Sequence, residues 1–309
     1  MTDAVASKTP DAPRVTVIIP CLNGELYLAE ALSSALGQTH GNVEVVFIDD
    51  GSTDGSLAIA QSFPGVTVLS QPNAGISVAR NAGMDVSDGE FVLFLDADDR
   101  LYPDAVREHL AAFSSQPEAP MVFGEMRIID PSGAVLEEPR WGAGYMRWND
   151  LLVGFTPLPS QCMFRREAVV AAGRFNPDVI LVEDMDLYLR VATGPGVYGH
   201  GRPVCDYRRH SEQATTRTAD TLVCLMQAVE RFLLTVDDTA KRAALLRDVR
   251  VRWSTHFGEH IPLEVVRCMR KGDWRRARRA TGVYLRYLPR TGIGSLKVLK
   301  RRVRQLVSA

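Results

Sequence analysis

The 309-residue chain contains no run of 18 or more apolar residues, which argues against a membrane-spanning helix. No secretory leader is expected either. The first 14 residues carry Asp3, Lys8, Asp11 and two prolines where an apolar segment would be needed, so a cytoplasmic protein is expected. Cysteine is scarce: Cys21, Cys162, Cys205, Cys224 and Cys268 are odd in number and widely spaced, with no C-x-x-C. This excludes a disulfide scaffold and a thiolate zinc site, leaving reduced thiols. Internal repeats and low-complexity tracts are absent, and the composition, 46% hydrophobic and 24% charged, excludes disorder as the main state. Acidic residues are nearly missing from the C-terminal end. From Val265 onward there are 14 Lys or Arg against the single acid Asp273, so this stretch carries +13 and the rest of the chain −14. An acidic body with a basic tail assigns chemistry and anchoring to different parts.

After a leader over residues 1–14, expected to be disordered, β-branched runs alternate with helical patterns. VTVIIP (15–20), VEVVFI (43–48), residues 66–69 and FVLFL (91–95) read as strands buried on both faces. Residues 25–36, a stretch from Ser52-Thr53-Asp54 through about Ser62, and residues 75–86 read as helices between them. Four strands and their helices in about 85 residues predict a parallel α/β sheet. The rhythm then changes. Residues 101–113 read as a helix with Pro103 in its first turn, and 121–129 with 135–139 as a hairpin across Asp130-Pro131-Ser132-Gly133. Residues 183–191 follow as a short amphipathic helix, and 197–209 as loop and strand. The remainder, from about residue 211, reads as helical.

In such a sheet, ligands bind beyond the carboxyl ends of the strands. Strand one ends in Pro20-Cys21-Leu22-Asn23, strand two in Asp49-Asp50 and strand four in Asp96-Ala97-Asp98-Asp99. Carboxylates gathered at one edge repel each other unless a cation sits among them, and oxygen ligands select Mg²⁺ or Mn²⁺. A dinucleotide fold would need G-x-G-x-x-G after the first strand, where only Gly24 is found. The segment from Asp50 to Gly55 imitates a calcium loop, but Gln61 holds its twelfth position and a strand precedes it, which excludes an EF-hand. A strand followed by D-x-D is also found in haloacid-dehalogenase-type phosphatases, and that stays a minor alternative.

VTVIIPCLNGELYLAEALSSALGQTH, VEVVFIDDGSTDGS and QPNAGISVARNAGMDVSDGEFVLFLDADD, in this order, closely resemble the family 2 glycosyltransferases of GT-A fold, over roughly residues 15–210. The resemblance implies an α/β GT-A domain over 15–210, with 211–309 as a helical region ending in the basic tail. It implies a metal-dependent, inverting transfer of a sugar from a nucleotide diphosphate donor to an acceptor hydroxyl. By the same resemblance, Pro20 and Asn23 lie beside the nucleotide, and Asp50 accepts a hydrogen bond from its base. Asp96, with Ala97, contacts the ribose or sugar. Asp98 binds Mn²⁺ or Mg²⁺ at the diphosphate, and His210 supplies a further ligand. Asn23 as a cap of the first helix is the competing local reading. Arg80 is placed near the phosphates or sugar, or else pairs with one of the acids. Asp99 is a helix cap or a ligand.

PLPSQCMFRREAVVAAGRFNPDVILVEDMDLYLR resembles the family's acceptor segment, whose Glu-Asp pair is here Glu183-Asp184, with Asp184 as the catalytic base. The competing reading is an acidic first turn stabilising a helix N-terminus. His256 and His260 stand at i, i+4 without a third ligand and read as a solvated or packed pair. Leu296, Leu299, Val303 and Leu306, with Lys297, Lys300, Arg301, Arg302 and Arg304 between them, form a basic amphipathic pattern. Trp274, Tyr284 and Tyr287 add interfacial character upstream. Together these imply a cytoplasmic enzyme peripheral on the inner face of a membrane, and no nucleic-acid partner. The expected partners are a nucleotide sugar, leaning to UDP, and a glycan or lipid-linked acceptor of the cell envelope. Two other functions compete: a non-catalytic nucleotide-sugar sensor or scaffold, and a sugar nucleotidyltransferase.

Overall fold

The computed structural model describes residues 12–154, 156–210, 217–258 and 260–287. It divides into two compact units. The first comprises residues 1–151, 155–178 and 183–210, and the second 152–154, 179–182 and 211–309.

The first unit opens with the expected alternation: β1 (Val15–Cys21), α1 (Leu28–Leu36), β2 (Val43–Asp49), α2 (Ser56–Gln61), β3 (Val66–Ser70), α3 (Ile76–Asp85) and β4 (Phe91–Phe94). There follow β5 (Arg100–Leu101), α4 (Ala105–Ser115), β6 (Met121–Ile129), β7 (Val135–Glu137), β8 (Ala143–Met146) and α5 (Trp148–Val153). A 3₁₀ turn at Pro159–Gln161 then leads into β9 (Cys162–Arg165), α6 (Arg166–Ala171), α7 (Glu183–Val191) and β10 (Val197–Arg208). The sheet order is β3-β2-β1-β4-β9-β6-β10-β5, with β7 on β6 and β8 on β10. β3, β2, β1 and β4 form a parallel block. β9 runs antiparallel to both β4 and β6, and β10 runs parallel to β6.

Burial on both faces explains the unbroken apolar runs. Alternate residues Val15, Val17, Ile19 and Cys21 of β1 pack in one core with Leu28, Ala31, Leu32 and Ala35 of α1 and with Ala105, Val106 and Phe113 of α4. The intervening Thr16 and Ile18 face the other way. There Gly83 brings α3 so close that a Cβ would stand 2.4 Å from Ile18 Cγ2.

Several expectations shift in detail. Leu101 leaves the predicted helix and pairs with Cys205 in β5, so α4 starts four residues later than expected. Residues 25–27 form a turn ahead of α1. Part of the expected leader is built in: Ala12 O accepts from Asn42, Pro13 O bonds His40, and Arg14 pairs with Glu44 and Asp88. Residues 1–11 lie outside the described residues. All five cysteines are free.

The second unit contains α8 (Thr218–Leu233), α9 (Thr239–Gly258), α10 (Ile261–Arg270) and α11 (Trp274–Tyr287). Buried Glu264 of α10 ties three of them together, accepting from Ala219 N of α8 (2.8 Å) and from the Arg276 guanidinium of α11 (2.7 and 2.9 Å). His256 and His260 are exposed, and His260 Nδ1 lies 2.9 Å from His256 O, so that nitrogen serves the backbone. The basic amphipathic pattern at 296–306 lies outside the described residues. No helix among the described residues is long and apolar enough to cross a membrane.

Candidate active site

Because β1, β2 and β4 run parallel, the loops that follow them emerge at one sheet edge. Asn23 adopts φ 57°, a conformation Asn tolerates better than most residues. Its Oδ1 accepts from Thr53 N at 2.8 Å, while its own N–H donates to Ser52 Oγ at 3.0 Å. Gly24 N and Glu25 N donate to Ser56 Oγ and Asp54 Oδ2. Asn23 therefore laces the loop after β1 to the loop after β2 and does not cap α1, which starts without a side-chain cap. The cap of α2 is Gly55, without the side-chain cap expected from Ser52-Thr53-Asp54, while Asp54 Oδ1 accepts locally from Ser56 N at 3.0 Å. Pro20 is buried within β1, in register with Ile48.

Asp50 is 4% exposed and its carboxylate is already engaged, accepting from Gln71 Nε2 (2.7 Å), Ala74 N (2.9 Å) and Gly75 N (2.9 Å). It thus fixes loop 71–75 ahead of α3. Gly51 completes this corner: at φ +81°, a Cβ there would stand 2.8 Å from Asn73 N.

Arg80 of α3 resolves the choice posed by the sequence in favour of pairing. Its side chain is 2% exposed, and it donates from Nη1 to Glu183 Oε1 (2.7 Å) and from Nη2 to Asp96 Oδ1 (2.9 Å). The Phe175 ring lies under the guanidinium, 5.0 Å away. Asn81 holds that segment by donating to Phe175 O and accepting from Phe175 N. Burial opposes the charge on Arg80, but Asp96 and Glu183 outweigh it and raise its pKa. One buried cation therefore bridges the acidic loop after β4 to the acidic start of α7.

Around that bridge, two carboxyls are displaced toward neutrality. Burial pushes Asp184 up to about 7, with the Glu183 charge adding to the rise and Arg80 opposing it. Burial pushes Asp96 up to about 6, against Arg80 and with help from Asp98. A half-buried carboxyl at the start of α7, poised near 7 and within the field of Asp96, has the properties of a general base at neutral pH.

Asp98 and His210 also meet: His210 Nε2 lies 2.9 Å from Asp98 Oδ2, and the Tyr27 ring packs on the imidazole at 5.3 Å. Asp99 turns inward and is 1% exposed, accepting from Ser160 Oγ (2.6 Å) and Arg208 N (3.0 Å), so it is neither the cap of α4 nor an open ligand. Among the described residues, no group of three or more His, Cys, Asp or Glu is placed to hold a metal ion. The sites forecast from sequence thus form two joined groups, Asp96–Arg80–Glu183 beside Asp184 and Asp98–His210. Asn23 and Asp50 order the loops around them. Sequence reasoning missed Ser160, Glu30 and Arg208, whose partners lie far along the chain. Arg208 could have been suspected from its place at a strand end two residues before His210.

The mixed sheet, with acidic loops at the ends of its parallel strands, has the GT-A fold. Residues 16–170 match glycosyl transferase family 2, and the chain belongs to that family. Among proteins it resembles is a chondroitin synthase from Pasteurella multocida (strain Pm70), 30% identical over 68% of this chain and 22% of that protein. A chondroitin synthase from Escherichia coli is 32% identical over 67% of this chain and 31% of that protein. The chain therefore spans only about a fifth to a third of the length of these relatives. Among solved structures, S. aureus TarS 1–349 in complex with UDP-GlcNAc aligns at TM-score 0.63 and 18% identity, covering 88% of this chain and 92% of that one. Mannosyltransferase PcManGT from Pyrobaculum calidifontis, in complex with GDP-Man and Mn²⁺, aligns at 0.59 and 16% identity, covering 98% and 83%. At these identities, the two alignments establish the fold.

Proposed function

We propose that this chain is a metal-dependent, inverting glycosyltransferase, and that it moves a sugar from a nucleotide diphosphate to an acceptor hydroxyl through residues 15–210. The observation that carries this reading is the Arg80 bridge, which ties Asp96 of the donor loop to Glu183, next to Asp184, itself raised to about 7. Pro20, Asn23 and Asp50 border the nucleotide, with Asp50 acting both on the base and on loop 71–75. Asp96 and Ala97 face the ribose or sugar, and Arg80 positions Asp96 rather than touching the donor. Asp184 takes the proton from the acceptor hydroxyl as its oxygen bonds to the anomeric carbon. The bond from that carbon to the diphosphate breaks on the opposite side, which inverts the centre.

Asp98 and His210 would hold Mn²⁺ or Mg²⁺. The donor set fits: Asp98 and His210 bring one carboxylate oxygen and one imidazole nitrogen to within 2.9 Å of each other, the ligand types such an ion takes. When bound, the ion would neutralise charge gathering on the departing diphosphate. A neighbour solved with UDP-GlcNAc supports the lean to a UDP-sugar, and relatives named chondroitin synthases support a part in polysaccharide synthesis.

Incubating the chain with a panel of nucleotide sugars and Mn²⁺ tests the reading. Release of nucleoside diphosphate, abolished by Asp98→Ala and reversibly by chelator, supports it. Pyrophosphate release would make the chain a nucleotidyltransferase, and binding without turnover a sensor.

The basic C-terminal region, 211–309, anchors the enzyme peripherally on the cytoplasmic face of an anionic membrane, each nearby basic residue contributing about 1 kcal/mol. Deleting residues after Arg290 should release the protein from anionic vesicles. Unchanged binding would refute the anchor.

A further inference from the structure

Beneath the loop that carries Asp96 and Asp98 lies a layer of polar groups that reach no solvent. Ser160 is fully buried, and Asp99 and Arg208 are each 1% exposed. Ser160 Oγ accepts from Asp96 N at 3.2 Å and donates to Asp99 Oδ2 at 2.6 Å. Asp99 Oδ1 accepts from Arg208 N at 3.0 Å, and Arg208 Nε donates back to Asp98 O at 3.1 Å. The chain of contacts thus leaves the acidic loop at Asp96, crosses to the turn before β9, reaches the end of β10 and returns to the loop at Asp98.

The Arg208 guanidinium is held from three further directions. Nη2 donates to Glu30 Oε2 of α1 (2.8 Å), Nη1 donates to Pro131 O (3.1 Å), and the Tyr27 ring lies 4.4 Å from the guanidinium carbon. The same Tyr27 ring packs on His210.

We propose that Ser160, Asp99 and Arg208 are positioning residues that pre-set the Asp96–Asp98 loop and His210 for a metal–diphosphate group. The proposal rests on the assignment of Asp98 and His210 as metal ligands made above. Burial keeps all three from touching substrate, so any effect they have on donor binding passes through the loop. A buried hydrogen-bonded polar layer contributes little net stability compared with apolar packing, whereas fixed backbone and ligand geometry is what a metal site requires from the residues behind its ligands. Arg208 suits the role because its planar fork can serve the backbone of the acidic loop, a helix carboxylate and a turn carbonyl at once, which a lysine ammonium cannot match.

The test measures binding to the full-length chain by calorimetry, with UDP as the probe, once with Mn²⁺ and once with EDTA. Wild type should bind UDP more tightly with Mn²⁺. Ser160→Ala and Arg208→Lys should lose that Mn²⁺-dependent gain by about 10- to 100-fold while keeping metal-free UDP affinity within about twofold. Glu30→Gln, at a half-exposed position that reaches the loop only through the Arg208 and Arg100 guanidiniums, should show a smaller loss in the same direction and guards against failure of the buried variants to fold. Folded variants that retain the full Mn²⁺ gain would overturn the proposal, as would equal losses with and without metal, which mark general damage. If wild type shows no Mn²⁺ gain, the metal assignment falls and the cradle with it. A normal wild-type gain together with unaffected variants sinks the cradle alone.

Discussion

Replacing Glu183 by Gln separates the electrostatic role of that residue from the role of Asp184 as a base. With Asp184 near 7, about half of the carboxyl is ionised at pH 7, about a tenth at pH 6 and about nine-tenths at pH 8. Only the ionised form can accept the proton of the acceptor hydroxyl. kcat/KM for the donor, which reports groups of the unliganded enzyme, should therefore fall about tenfold per unit below pH 6.5 and level off above 7.5. Glu183 raises Asp184 by its charge, and the amide of Gln can still accept from Arg80 Nη1 through its carbonyl oxygen. Removing the charge lowers the Asp184 pKa, and the freed field of Arg80 acts in the same direction. For a neighbouring charge at an effective dielectric constant of about 20, the expected displacement is about one to two units. In Glu183→Gln the acid limb should move down toward pH 5–6, and at pH 6 the variant should outperform wild type if geometry is kept. Asp184→Asn should remove transfer at every pH. An acid limb that stays in place or moves upward would refute the assignment of Asp184 as the titrating base.

Arg80→Met leaves Asp96 and Glu183 without their shared cation. Denaturant unfolding should show a loss of at least about 2 kcal/mol, less than the 3–5 of a fully buried pair because Asp96 keeps 30% exposure, and an unchanged midpoint would contradict the bridge. Asp184→Asn should stabilise the fold in a pH-dependent way. A carboxyl with a raised folded-state pKa contributes stability that is complete below about pH 4 and lost as pH rises through about 7, so the variant's advantage should be near zero at pH 4 and largest at pH 8. An advantage independent of pH would show that burial does not perturb Asp184. Gly51→Ala places a Cβ 2.8 Å from Asn73 N at a positive φ, so it should displace loop 71–75 from Asp50 and weaken UDP binding at least tenfold. Wild-type affinity in that variant would detach the loop from donor recognition.

The parts of the molecule legible in the sequence are those whose signals are local. β1 and β2 announce themselves as β-branched runs and β4 as an apolar one, with acids following β2 and β4, and α7 as an amphipathic segment opening on Glu183-Asp184. β9 did not, because four residues, Cys162–Arg165, carry too short a pattern to be told from the turn before them, and only their pairing between β4 and β6 makes them a strand. Leu101 reads as the start of a helix until β10 offers it a partner. A cap of α1 was the competing local reading of Asn23, because Asn before an apolar helix is often one. The lacing of two loops across 30 residues that it performs depends on the parallel pairing of β1 and β2. The same applies to Arg80 and Arg208: a sequence shows the cation, but its partners, 103 and 178 residues away at Glu183 and Glu30, are set by the fold.

The central claim is that Asp98 and His210 serve the donor while Asp184 serves the acceptor. Calorimetric binding of UDP with Mn²⁺ to Asp98→Ala, His210→Ala and Asp184→Asn tests it most directly. The account predicts that the first two lose the metal-dependent affinity and that Asp184→Asn keeps it while transferring no sugar. Normal Mn²⁺-dependent binding in Asp98→Ala, or its loss in Asp184→Asn, would contradict it.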